Sequence, residues 1–279
     1  MELSGRTLSK PIKKQLKIEV AKLKKRGISP KIAIVTLGEE ASWEAYVGQK
    51  LKLANKLGIE ATLINLKNAD ENNILTEVSK IDKDKTIHGI IIQRPFSQNL
   101  NKEKVINSIS ANKDIDGFRA DSKFDVPTWL AVKHFLKIAL NVESETNLKK
   151  RLSELNVVVL GKGETAGMPA IKGFRKLGFE PKIIDSKTTN REELLKNADV
   201  LVSAVGKRVV EPQNLKKGVI LIGVGIRRNT DEGKLLGDYN EKEISEVASF
   251  HTPTPGGVGP LNLSYLFKNL IYATKIQSP

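Results

Sequence analysis

Short β-branched runs alternate along this chain with segments whose apolar residues recur every three or four positions. That alternation restricts the chain to an α/β architecture with largely parallel strands. In the first half the expected strands are residues 32–37, 61–66 and 89–93, separated by helices over about 43–57 and 74–82. The second half offers strands at 157–160, 182–185, 200–204 and 219–222, with helices between the first three. Each half reads as its own sheet, and 279 residues suffice for two domains. The boundary is expected in the polar stretch 119–125. Thr128 stands where it would N-cap a helix running through Ala131 and Phe135 to about Leu140. No internal repeat interrupts the pattern.

Composition removes several function classes. The chain has no cysteine, which excludes disulfides, thiolate nucleophiles and cysteine-ligated metal centres and makes the cytoplasm the default location. Its first residues are polar, and no window nears the roughly 18 apolar residues needed to span a bilayer, so neither export nor membrane insertion is expected. His88, His134 and His251 are isolated and form no ligand-spaced cluster, so no metal is expected. A net charge of +14 attracts nucleic acid, anionic membranes and small polyanions alike. The lysines are spread over every expected helix and aromatics are 5% of residues, so neither a basic stripe nor stacking platforms are in evidence. The charge reads as a solvated surface that favours anionic ligands, with a nucleic-acid-binding protein as the rival from another class.

One lysine breaks the sorting of charges. At 100° per residue, Leu53, Tyr46, Leu57, Lys50, Ala54, Val47 and Leu51 fall consecutively around one side of the helix before Gly58, while Glu44, Asn55, Lys52, Lys56 and Gln49 take the other. Lys50 therefore lies inside the apolar stripe, and Tyr46, four residues away, shares its face. A lysine held against apolar surface has its pKa lowered and can supply a neutral amine as a base. The alternative is a methylene stem that snorkels to water. Gln93 ends its strand where ligand groups gather in open α/β sheets, unless it only anchors a loop. The run Lys113-Asp114-Ile115-Asp116-Gly117-Phe118 reads on spacing as an aspartate turn with glycine.

The strand ending at Leu160 runs into Gly161-Lys162-Gly163-Glu164-Thr165-Ala166-Gly167, followed by a helix to about Leu177 and a strand ending at Asp185. Backbone N–H groups at such a helix start can hold a pyrophosphate, although the third glycine comes one position late for the standard spacing. Asp185 stands where an acidic side chain takes a ribose 2′-hydroxyl, favouring NAD. Lys162, Ser186 and Lys187 stand where they would serve a 2′-phosphate, favouring NADP. Thr252-Pro253-Thr254-Pro255-Gly256-Gly257-Val258-Gly259-Pro260 reads either as a pre-bent loop that can approach a ligand closely or as a connector.

Four blocks in order carry a resemblance: residues 41–50, Gln93-Arg94-Pro95 with 113–118, the turn 161–169, and 255–260. Over essentially its whole length the chain resembles the bifunctional methylenetetrahydrofolate dehydrogenase/methenyltetrahydrofolate cyclohydrolase family. The resemblance implies an N-terminal α/β folate domain over 1–120, completed by a helix over 258–279. It implies a Rossmann-like dinucleotide-binding domain with a parallel sheet over 121–257, and a cleft between the two. Lys50 would be the catalytic residue, with Gln93 bonded to it. Tyr46 would stack on the pterin, Asp116 would bind its amino-pyrimidine edge, and Pro255, Gly256 and Gly257 would close on the folate. Gly161, Lys162, Gly163, Gly167, Ser186, Lys187 and Thr128 would hold the cofactor, NADP ahead of NAD.

The implied partner is a small-molecule folate, polyglutamylated forms included, with neither nucleic acid nor membrane as partner. A cytoplasmic homodimer serving purine biosynthesis is implied as well. A dehydrogenase without cyclohydrolase activity is the nearest rival, opposed by Lys50 with Gln93. The chain departs from its relatives in three places. The turn reads Gly161-Lys162-Gly163 where relatives usually have Gly-Arg-Ser, Val126-Pro127-Thr128-Trp129 replaces Pro-Cys-Thr-Pro after a shortened segment, and Gly223 replaces an aspartate.

Overall fold

A computed structural model describes residues 1–37, 43–94, 96, 99–228 and 235–278. It divides into two compact units, Lys10–Pro127 with Leu263–Pro279, and Met1–Ser9 with Thr128–Asn262. The sequence places 1–120 with 258–279 apart from 121–257; here Met1–Ser9 group with the second unit, and the other limits fall five to seven residues later.

In the first unit β1 (Lys31–Thr36) is flanked by β2 (Glu60–Asn65) and β3 (Gly89–Ile92) in a parallel sheet of order β2-β1-β3. β1 is central and buried on both faces, which is why it reads as a continuous apolar run. Its alternate residues feed two cores. Ile32 and Ile34 pack with Leu16, Val20 and Leu23 of α1 (Gly5–Lys25), with Val47, Leu53, Ala54 and Leu57 of α2 (Glu44–Leu57), and with Leu266, Phe267 and Leu270 of α10 (Val258–Gln277). Ala33 and Val35 pack on the opposite side with Ile74, Val78 and Ile81 of α3 (Glu71–Lys83) and Val105 of α4 (Lys102–Asn107). The C-terminal helix is tied in by Asn269, whose side-chain N–H groups donate to the carbonyls of Ile115 at 2.9 Å and Asp125 at 3.0 Å.

The second unit holds a five-stranded parallel sheet of β4 (Val157–Leu160), β5 (Lys182–Ile184), β6 (Val200–Ser203), β7 (Ile220–Gly223) and β10 (Phe250–His251), in order β10-β7-β6-β4-β5. That order reverses at β4, so the loop after β4 lies at a topological switch point, where open α/β sheets bind ligands. The helices of this unit are α5 (Pro127–Ala139), α6 (Glu145–Ser153), α7 (Gly167–Lys176), α8 (Arg191–Lys196) and α9 (Glu241–Ile244). β8 (Arg227–Arg228) and β9 (Leu235–Leu236) pair antiparallel.

Residues 1–3 belong here because they extend the sheet beyond β10, with Leu3 N donating to His251 O at 2.8 Å and His251 N to Met1 O at 3.1 Å. Two-residue pairings carry no periodicity, so the sequence gives no sign of them. Thr128 is not an N-cap: α5 begins at Pro127, whose fixed φ and missing N–H suit the first helical position. The neighbouring Trp129 packs edge-on against Phe174 at 4.9 Å. Among the described residues no helix is long and apolar enough to cross a membrane.

Candidate active site

The first unit assembles its polar groups at the carboxyl ends of β1 and β3. Gln93 follows β3 and continues the ladder, its N–H donating to Val35 O at 2.8 Å. This fixes the direction of its side chain, whose Nε2 donates to Arg94 O at 2.6 Å, so that Oε1 is left as the acceptor. Lys50 Nζ, reaching from α2, donates to that Oε1. The buried residues of α2 are Val47, Leu53, Ala54 and Leu57, which places Lys50 beside the apolar stripe as its spacing requires. Tyr46, one turn earlier, remains 50% exposed and free to present its ring to a ligand.

Asp116 comes to the same place through a turn built by its neighbour. The Asp114 carboxylate accepts the backbone N–H of Gly117 at 3.2 Å and of Arg119 at 2.9 Å, which leaves the Asp116 carboxylate out of the turn's own bonding. The aspartate-turn reading therefore holds for Asp114. Burial pushes the Asp116 carboxyl upward, opposed by the charges of Lys50 and Arg94. Burial likewise pushes the Lys50 amine well below the ordinary lysine range, opposed by Asp116. Asp114, two residues away and buried, is pushed up to about 6. A desolvated amine, a neutral amide and a desolvated carboxyl thus share one enclosure.

Sequence reasoning gave Arg94 no role. It is buried, with its guanidinium carbon 3.8 Å from the centroid of the Phe118 ring. The available signal was an arginine placed immediately after a strand-ending glutamine. Of the motif residues quoted above, Ala41, Ser42 and Pro95 lie outside the described residues.

The second unit brings the remaining candidates together at the ends of β4 and β5. Gly161 has φ +93°, and a methyl at Gly167 would collide with the Gly161 carbonyl, so the turn needs glycine at both positions. A β-carbon at Gly163 would meet nothing closer than Ala204 O at 3.9 Å, so that position is free to vary. α7 starts at Gly167 with no side-chain cap on its first N–H groups. Met168 N–H donates to Gly163 O at 2.9 Å, but no side chain competes for this helix start, which suits a pyrophosphate. Lys162 Nζ lies 2.5 Å from an Asp185 oxygen, and the other oxygen accepts Lys187 N–H at 2.8 Å. These bonds pull the Asp185 carboxyl down to about 2. Ser186 and Lys187 are exposed beside it. Thr128 reaches the turn through its hydroxyl, 3.5 Å from Thr165 O.

The loop at Pro255 lies against the start of α1 in this unit: Gly256 O accepts Arg6 N–H at 3.0 Å, and Gly257 N donates to Pro253 O at 2.7 Å. The substitution at Gly223 also gains an explanation. A β-carbon there would meet the Tyr239 hydroxyl at 2.7 Å, and that hydroxyl donates to Thr252 O at 2.5 Å. Tyr239 occupies the space a longer side chain at 223 would need.

Comparison with known proteins finds two models of one family along the chain. The catalytic-domain model of tetrahydrofolate dehydrogenase/cyclohydrolase matches residues 3–116, and the NAD(P)-binding-domain model of the same family matches residues 142–278. The chain belongs to the tetrahydrofolate dehydrogenase/cyclohydrolase family. Within that family it is similar to the Bifunctional protein FolD of Staphylococcus epidermidis, 35% identical over 289 aligned positions covering 99% of this chain and 96% of that one. The FolD of Ligilactobacillus salivarius is 34% identical over 283 positions, covering 96% of this chain and 95% of the relative. Among solved structures, the FolD of Campylobacter jejuni superposes with a TM-score of 0.85 at 28% identity, covering 99% of each chain. The Trypanosoma brucei FolD, complexed with NADP and an inhibitor, has a TM-score of 0.85 at 26% identity, covering 99% of this chain and 97% of that one.

Proposed function

We propose that the chain oxidises methylene-tetrahydrofolate to methenyl-tetrahydrofolate with a nicotinamide dinucleotide and hydrolyses the product to formyl-tetrahydrofolate. The observation that carries this reading is the pairing of Lys50 with Gln93 beside Asp116 in a family whose models name both a catalytic and an NAD(P)-binding domain. The folate domain is taken as 1–120 with 258–279, apart from the first residues that pair beside β10, and the dinucleotide domain as 121–257.

The dinucleotide, when bound, supplies the hydride acceptor. Gly161, Gly163, Gly167 and the start of α7, which no side chain caps, would hold its pyrophosphate, and Thr128 supports that turn. Tyr46 stacks on the pterin, Asp116 accepts from its amino-pyrimidine edge, and Pro255, Gly256 and Gly257 line the folate. Orientation provides most of the acceleration of hydride transfer, and no side-chain nucleophile is required. In the second stage water attacks the methenyl carbon. The neutral Lys50 amine takes the proton of that water and returns one to the departing ring nitrogen as the tetrahedral adduct collapses. Gln93 accepts from the amine in both protonation states without adding a charge.

NADP+ is taken ahead of NAD+ because Lys162, Ser186 and Lys187 gather at the end of β5, and because the similar Trypanosoma protein is complexed with NADP. A cytoplasmic location rests on the cysteine-free composition, and a homodimer and service to purine biosynthesis rest on the resemblance. The test is one spectrophotometric assay of methylene-tetrahydrofolate with each dinucleotide, followed by the decay of methenyl absorbance. Growth and then decay of that absorbance is expected. Growth without decay would leave a dehydrogenase only, and the absence of both changes would refute the reading.

A further inference from the structure

A buried carboxylate on the far side of the dinucleotide turn has no part in the account above. Asp238, fully buried, lies between β9 and α9. Its carboxylate accepts four hydrogen bonds from one short segment, from Ser203 Oγ at 2.6 Å and from the backbone N–H groups of Val205 at 2.9 Å, Gly206 at 2.7 Å and Lys207 at 3.1 Å. Its peptide carbonyl accepts two more, from Val209 N at 2.9 Å and Val210 N at 3.1 Å. One residue therefore gathers the loop that leaves β6 through six donors.

That loop faces the glycine turn. Ala204 N donates to Leu160 O at 2.8 Å, and a β-carbon on Gly161 would lie 2.8 Å from Ala204 O and 3.2 Å from the Val205 side chain. Val205 is nonetheless 39% exposed, an apolar side chain presented to solvent at the carboxyl ends of β4 and β6. An apolar residue left open beside a phosphate-binding turn suits the flat face of a nucleotide base or nicotinamide ring.

We propose that Asp238 is a positioning residue for the dinucleotide, holding residues 204–207 so that Val205 forms one wall of the site beside Gly161. The inference rests on the dinucleotide reading of the Gly161 turn. Each carboxylate oxygen accepts two of these donors, so replacing either oxygen with an amide N–H2 leaves a pair without its acceptor, and the loop must rearrange to reach water. The effect falls on dinucleotide affinity, because Asp238 touches no reacting atom.

The experiment compares the parent with Asp238→Asn and Ser203→Ala, measuring kcat and the dinucleotide KM of the oxidation, and methenyl hydrolysis with no dinucleotide present. Asp238→Asn is expected to raise the dinucleotide KM by about tenfold or more. It should leave kcat at saturation within about threefold and hydrolysis within about twofold of the parent. Ser203→Ala, which removes one of the four donors and serves if the first variant does not fold, is expected to raise KM by about two- to threefold. A parent that oxidises its folate while both variants keep the parent KM would overturn the inference and leave the dinucleotide reading intact. Variants in which oxidation and hydrolysis fall together would also overturn it. A parent that uses no dinucleotide would overturn both.

Discussion

Lys50 donates from Nζ to Oε1 of Gln93, so the lysine set beside the apolar stripe of α2 is held by a neutral amide rather than by a carboxylate. A carboxylate in that contact would fix the ammonium, whereas the amide leaves burial free to lower the amine's pKa, with Asp116 opposing.

Gln93→Glu places a negative charge against the Lys50 ammonium. An opposite charge at that range raises an amine's pKa by about 1 to 3, so the acid limb of the hydrolysis kcat profile should move to higher pH by that amount. An unmoved limb in a folded variant would show that Lys50 is not the titrating base.

The dinucleotide turn should discriminate sharply between its glycines. Gly167→Ala drives a methyl into the Gly161 carbonyl and should destabilise by about 1 to 3 kcal/mol while weakening dinucleotide binding. Gly163→Ser enters open space and should leave stability within about 0.5 kcal/mol. Thermal melts with dinucleotide titrations check both, and equal effects would contradict the geometry.

Asp185 holds Lys162 and keeps its own charge, since its carboxyl sits at about 2. Asp185→Ser removes a carboxylate that repels a 2′-phosphate and frees Lys162 to receive one. The kcat/KM ratio of NADP+ to NAD+ should rise by about fivefold, as like-charge repulsion at the ribose is removed. A ratio that falls would place the ribose elsewhere.

Asp114 carries a stability signature with a definite sign. Its folded carboxyl sits at about 6 against an ordinary 3.8, so between those values the folded chain binds a proton that the unfolded chain has lost. That contribution is present below about pH 4 and is lost as pH rises through 6. The unfolding free energy of the parent relative to Asp114→Asn should therefore fall by about 2 kcal/mol from pH 4 to pH 7 in urea titrations. A difference that stays flat or rises would contradict the burial of this group.

The α/β class and its strands were legible because β1, β4, β6 and β7 are buried on both faces and spell continuous β-branched runs. Lys50 was legible because helical periodicity exposes a charge that is out of place. Asp116 was legible only through the resemblance, since on spacing it is indistinguishable from Asp114, and the folded turn shows that Asp114 serves the backbone. Arg94 and Asp238 were hidden for a related reason: the former acts through a ring 24 residues on and the latter through a strand end 35 residues earlier. The placement of Pro127 at the start of α5 overrode the capping signal of Thr128.

The most direct test of the central claim is the methenyl-tetrahydrofolate hydrolysis rate of purified Lys50→Met. The account predicts a loss of about 100-fold or more, while dinucleotide-dependent oxidation, which asks for no side-chain base, persists. Hydrolysis at the parent rate in a folded variant would contradict it.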